Sequence, residues 1–251
     1  MNNTKGEIIK ILSERGKKLL NQPYKKIEFT KNPEADDLLN DIKTLPHAWV
    51  LACIMDRQMK AEKAWLIPYE ISKEIGGFEF SKLLQLSEKQ AEEIFKRKNL
   101  HRFNNIMARN FYLGIQKIHG DYNNNASNIW KNYPRSATIV RRFLEFEGVG
   151  VKIATMAANI LAREFKIRMK DYICIDISPD VHVKRVFKRL EFISKNASNE
   201  ELIYCAKELN PKYPGIFDLS CWEIGRNWCK PQKPFCKDCY LDKYCPKGKL
   251  K

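Results

Sequence analysis

The sequence predicts an all-α fold, on three observations. Apolar residues recur at the i, i+3, i+4, i+7 spacing of one helix face, two serine-led capping boxes mark helix starts, and alternating strand-like runs are rare. Glycine and proline, 11 of each in 251 residues, are too sparse to punctuate many short strands. In chain order, Trp49, Val50, Cys53 and Ile54 form a first apolar stripe. Pro68 starts or kinks a helix, because its ring fixes φ and removes a donor. Gly76-Gly77 ends that helix. Ser87 with Gln90 opens the next, toward Lys96, by reciprocal side chain–backbone capping. Residues 121–128, with their asparagine run, read as a loop. Ile153, Met156, Ala157, Ile160 and Leu161 make a second stripe, and Val183, Val186, Phe187 and Leu190 a third. Between these, residues 166–179 form a connector whose apolar part, 172–177, is partly buried. Ser198 with Glu201 caps a last helix toward Leu209.

Composition sets the broad class. Hydrophobic residues make up 44% and aromatics 11%, enough for a packed core in one large domain or two small ones. No apolar run approaches the ~20 residues that span a bilayer. Residues 1–22 are too charged for a secretory signal, so a cytoplasmic, nucleoid-associated protein without a membrane partner is expected. The 45 Lys and Arg against 30 Asp and Glu give a net charge of +15. That surplus suits a polyanion, with nucleic acid as the usual case; the bland alternative is a solvated basic surface.

Four of the eight cysteines, Cys53, Cys174, Cys205 and Cys221, lie in apolar surroundings and read as small core residues. The other four, Cys229, Cys236, Cys239 and Cys245, are spaced C-x6-C-x2-C-x5-C. In a reducing compartment such crowding points to metal before disulfides. Four thiolates close in sequence can hold one cubane iron–sulfur cluster. Structural zinc also takes four cysteines, but usually as two tight pairs, and Cys236 with Cys239 is the one tight pair present. Lys230, Lys233, Lys237 and Lys243 stud this segment, either as phosphate contacts or as ordinary loop lysines.

Two further stretches carry candidate chemistry. Phe146-Glu147-Gly148-Val149-Gly150-Val151-Lys152 precedes the second stripe. Glycines at alternate positions permit a tight turn where side chains would clash, and the N–H groups of Gly148, Val149 and Gly150 are candidates to hold a phosphate. The plain alternative is a helix–helix turn. Downstream, Asp180 in Pro179-Asp180-Val181-His182 reads as a helix N-cap. A capping carboxylate is held as an anion, and a fixed anion stabilises positive charge building on a sugar as its N-glycosidic bond breaks. His182 reads as structural, and Asp176 is a rival to Asp180 without its sequence context.

These motifs resemble the endonuclease III family of DNA repair enzymes. The cysteine spacing, with Gly225-Arg226 before its first ligand and Lys233-Pro234 before its second, resembles the family's C-terminal [4Fe-4S] signature. The hairpin resembles L-P-G-V-G-x-K-x-A, with Gly148, Val149, Gly150, Lys152 and Ala154 matching and Phe146-Glu147 replacing Leu-Pro. Asp180, His182, Arg185 and Val186 match V-D-T-H-x-x-R-V, with Pro179 and Val181 as departures and a somewhat longer connector. The resemblance implies a Schiff-base lysine at Lys152, a catalytic aspartate at Asp180 and four cluster ligands at the cysteines. It places the glutamine that fills the gap left by a flipped base on Gln58, although Met59-Lys60-Ala61 replaces the family's A-T-D. Arg57 either fills that gap or contacts a phosphate.

The similarity runs over residues 45–246 and is faint between 63 and 136. It implies two helical domains. One is a six-helix barrel with the helix-hairpin-helix at 45–164; the other, discontinuous, joins 1–44 to 165–251 and carries the cluster. DNA would cross the groove between them, with Lys152 and Asp180 facing each other at its mouth. The implied function is base-excision repair by a monomeric, bifunctional N-glycosylase and AP lyase. Its substrate would be double-stranded DNA with a damaged base, an oxidised pyrimidine foremost, or an abasic site. A monofunctional mismatch or alkylated-base glycosylase is disfavoured by Lys152. A non-catalytic iron–sulfur DNA-binding protein is disfavoured by Lys152 and Asp180 occurring together.

Overall fold

Local capping chemistry sets most helix limits in the computed structural model, which describes residues 3–246. The chain forms α1 (Asn3–Asn21), α2 (Pro33–Asn40), α3 (Pro46–Met55), α4 (Ala61–Ala64), α5 (Ile67–Ile75), α6 (Phe80–Leu83) and α7 (Glu88–Lys98). There follow α8 (Asn104–Tyr122), α9 (Ser136–Leu144), α10 (Val151–Arg163), α11 (Val181–Arg189), α12 (Asn199–Leu209) and α13 (Ile216–Asn227). Short 3-10 turns lie at Ala126–Ile129 and Cys236–Asp238, and no strand occurs among the described residues. The class is all-α, as predicted. Both capping boxes form: the Ser87 hydroxyl accepts the Gln90 N–H at 3.3 Å and the Ser198 hydroxyl accepts the Glu201 N–H at 3.1 Å. Pro68 stands in the first turn of α5, so it starts this helix rather than kinking it. Gly76, at φ +73°, closes the helix in the left-handed conformation glycine tolerates. Helix α8 runs to Tyr122, so the asparagine loop begins at Asn123, two residues later than its composition suggests. No described helix is long and apolar enough to cross a membrane.

Two compact units share these helices. The first comprises Met1–Tyr24, Arg135–Val140 and Thr155–Lys251; the second comprises Lys25–Pro134 and Arg141–Ala154.

The second unit is built around α3, all ten of whose residues are buried. The stripe at Trp49, Val50, Cys53 and Ile54 therefore marks only part of what α3 buries. Helices α2, α5 and α8 pack around it, and a helix enclosed on all sides buries its whole circumference. Trp49 meets Trp130 and Phe143 edge-on, each at 5.9 Å between ring centroids. Gly114 lets α8 close on α3, because a β-carbon there would meet Leu51 Cδ2 at 2.9 Å. Phe95 of α7 packs on Phe111 of α8.

In the first unit, α13 packs against α1 and α11. Gly225 permits the α11 crossing, since a β-carbon would lie 2.7 Å from His182 Cβ. Arg15 of α1 makes a two-pronged ion pair with Glu223 of α13, at 2.6 and 3.0 Å. Phe187 fills the space between Phe192 and Phe217. In the connector, Ile175 and Ile177 are fully buried.

Candidate active site and cysteine cradle

In the second unit, the end of α3 meets the hairpin. Asp56 is the C-cap of α3, its N–H bonded to the Cys53 carbonyl at 3.1 Å. Arg57 and Gln58 follow, both exposed. Gln58 sits at φ +52°, a left-handed conformation that costs a side chain-bearing residue energy, and its carbonyl accepts from Arg102 at 3.2 Å. Beneath the loop His101 is buried, and burial lowers its pKa.

The hairpin turns at Gly148, where φ is +79°. A β-carbon there would strike the Asn110 amide and lie 3.6 Å from Arg57 Nη1, so glycine is needed both for the turn and for the close approach. Gly150 differs from expectation: a β-carbon there would meet nothing, and no clash demands glycine. Val149 is buried at the turn. Helix α10 then starts at Val151, which places Lys152 in its first turn. Lys152 Nζ lies 3.3 Å from Asp56 Oδ2. The lysine side chain is 41% exposed and that of Asp56 6%, so one end of the pair is open to a substrate and the other is not. Lys152, Arg57, Gln58 and the Gly148 turn thus gather in one unit. Asp56 was not among the residues singled out from sequence; its only mark there is its place in Met55-Asp56-Arg57-Gln58.

Asp180 and the cysteines belong to the first unit. Asp180 caps α11, its Oδ1 accepting the His182 N–H at 2.7 Å, beside the exposed Val181. Its own N–H donates to the Ser178 carbonyl at 2.7 Å. Ser178 in turn donates its N–H at 3.3 Å and its hydroxyl at 3.2 Å to Asp218 of α13. Burial pushes the Asp218 carboxyl up to about 6, against the opposing charge of Arg163. Nothing in the residues around Asp218 marks it in advance. His182 Nδ1 lies 2.9 Å from the Arg185 guanidinium, and its backbone packs on Gly225. Asp176 pairs with Lys207 at 3.2 Å, and burial raises its carboxyl.

Cys229, Cys236, Cys239 and Cys245 line one cavity with Ile224, Trp228, Leu241 and Arg189. Among the described residues, no three His, Cys, Asp or Glu side chains close tightly enough to hold a single metal ion. Burial, with the other three sulfurs adding to it, pushes the Cys239 thiol up to about 11. Four thiolates share such a cavity only beside a compensating cationic group, which an iron–sulfur core supplies. Arg189 Nη1 donates to Cys229 Sγ at 3.2 Å and to the Lys230 carbonyl at 2.6 Å, and Nη2 donates to the Pro231 carbonyl at 2.7 Å. Arg185 reaches the carbonyls of Cys229 at 2.7 Å and Gly225 at 2.8 Å. Helix α11, capped by Asp180, is thereby fastened to the chain at Cys229. Lys233 and Lys237 are exposed, whereas Lys230 donates to the Arg226 carbonyl and is half-buried. Cys53 and Cys221 are buried, Cys174 and Cys205 half-buried, and none of the eight cysteines forms a disulfide among the described residues.

This architecture occurs in solved structures. A trapped endonuclease III–DNA covalent intermediate superposes at TM-score 0.62, with 19% identity, over 100% of this chain and 99% of that one. The fold is that of endonuclease III. A non-covalent endonuclease III–DNA complex gives 0.62 with 21% identity over 98% of this chain and 97% of that one. A thermostable thymine-DNA glycosylase gives 0.61 with 17% identity, over 100% of this chain and 99% of that one. By sequence, endonuclease III of Thermotoga maritima is 37% identical over 70 residues, 28% of this chain and about a third (32%) of that protein's length. No protein-family model matches the chain.

Proposed function

We propose that the protein is a base-excision DNA glycosylase with AP lyase activity, acting on double-stranded DNA with a damaged base, an oxidised pyrimidine foremost, or an abasic site. The observation that carries this reading is Lys152: an open amine in the first turn of α10, directly behind the Gly148 turn and beside the Arg57–Gln58 loop. The N–H groups of Gly148, Val149 and Gly150 would hold a phosphate, as helix-start amides do. Arg57 and Gln58, exposed on a tight loop, would enter the gap left by a flipped base. Lys152 would attack C1′ to form a Schiff base, and β-elimination would cut the strand on the 3′ side. Asp180, fixed as a cap anion, would stabilise positive charge on the sugar.

The four cysteines would hold a [4Fe-4S] cluster. A single zinc ion would take four cysteines more usually as two tight pairs; the C-x6-C-x2-C-x5-C spacing, with one tight pair, suits the cluster. The cluster would cross-link the segment around Cys229–Cys245 and supply no electrons to the reaction. Exposed Lys233 and Lys237, with Lys230, would add phosphate contacts whose strength falls with salt.

The test uses wild-type and Lys152→Ala protein, borohydride, and duplexes bearing an abasic site or candidate damaged bases. The expected result is a covalent adduct with wild type alone. Undiminished trapping by Lys152→Ala would move the nucleophile elsewhere; no adduct from wild type with any duplex would point to a monofunctional glycosylase.

A further inference from the structure

We infer that Asp56 is the group that takes the proton from Lys152 when the Schiff base forms. The inference rests on the lyase reading above and adds a residue to it. The contact is direct, Oδ2 to Nζ at 3.3 Å, between residues 96 positions apart. The carboxylate is almost wholly shielded, and its backbone is fixed by the α3 C-cap bond, so it cannot swing out to water. Donor and acceptor are already joined, so a proton can pass along the existing hydrogen bond. Other charged or titratable groups flank the pair. Cys53 lies one turn back on α3, its thiol raised by burial and by the Asp56 charge. Arg57 follows in the loop, and His101 and Arg102 come from the segment before α8.

The step balances on the open-chain aldehyde of an abasic site. Asp56 accepts one proton from the Lys152 ammonium and becomes a neutral acid. The freed lone pair forms the Nζ–C1′ bond, and a nitrogen proton passes to the carbonyl oxygen to give a carbinolamine. Asp56 returns its proton to that hydroxyl, the C1′–O bond breaks with its pair leaving as water, and the protonated imine remains with Asp56 again a carboxylate. Nothing is consumed besides the aldehyde.

The experiment measures the borohydride-trapping rate on an abasic-site duplex between pH 5.5 and 9 for wild type, Asp56→Asn and Asp56→Glu. Duplex affinity and thermal unfolding are measured alongside. The Asn variant should bind normally but trap on the order of 100-fold more slowly at pH 6.5, as loss of a general base does. The deficit should shrink as pH rises and solvent deprotonates the amine, and Glu should recover part of the rate. Wild-type trapping by Asp56→Asn at every pH would overturn the proposal. So would an equal loss across the pH range accompanied by weakened binding, which marks a structural ion pair. Absence of trapping in wild type itself would fail the lyase reading, and the proposal with it, a result distinct from a defect confined to the Asn variant.

Discussion

The Asp218 carboxylate accepts both the backbone N–H and the hydroxyl of Ser178, two residues before the Asp180 cap. Asp218 thus reaches from α13 to hold the strand of chain that presents Asp180. Because both contacts are made with the acid buried, its protonation is coupled to folding.

Burial raises the Asp218 carboxyl to about 6, above the value near 3.9 it has when unfolded. Between these two values the native chain keeps a proton that the unfolded chain has released. The sign of the linkage follows: the contribution of this proton is present at low pH and is lost as pH rises through about 4 to 6. Its size is on the order of 2–3 kcal/mol. In urea unfolding at pH 4.5 and pH 7, Asp218→Asn should gain on wild type by about 2 kcal/mol at the higher pH. A difference that does not change with pH would refute the linkage.

On the proposed reading Asp180 has two separable duties. Asparagine caps helices about as well as aspartate, so Asp180→Asn should unfold within about 0.5 kcal/mol of wild type. It would nevertheless remove the anion beside the sugar. Excision measured in single turnover on a damaged duplex should fall by on the order of 100-fold or more, with binding unchanged. Full excision by this variant would restrict Asp180 to capping.

Arg189 touches the sulfur of Cys229 as well as the backbone that follows it. Groups that hydrogen-bond metal ligands typically account for 10–100-fold in metal affinity. With the proposed cluster bound, Arg189→Met should therefore lose the brown absorbance about 10-fold faster under chelator, in protein that remains helical by circular dichroism. An unchanged rate would show that the guanidinium serves the chain alone.

Sequence patterns disclosed what depends on neighbours a few positions apart. The capping boxes at Ser87 and Ser198, the Asp180 cap and the Gly76 stop all work within one helical turn, and all appear as read. The complete burial of α3 was only half visible, because period-3.6 patterning marks one face, whereas small Ala48 and Ala52 and the bonded His47 fill the others. Asp56 and Asp218 were invisible for a different reason. Their partners lie 96 and 40 residues away, and nothing in the local sequence separates them from surface acids. Arg189 likewise looked like one more cation in a basic chain, and Arg185 was marked only as a match to the motif around Asp180.

The grip of those two arginines falls on main-chain oxygens at Gly225, Cys229, Lys230 and Pro231. A carbonyl is present whatever side chain its residue bears. The hold on this segment is therefore independent of which side chains stand at positions 230 and 231. The path of the segment beside α11 is set by two guanidiniums and by its own backbone.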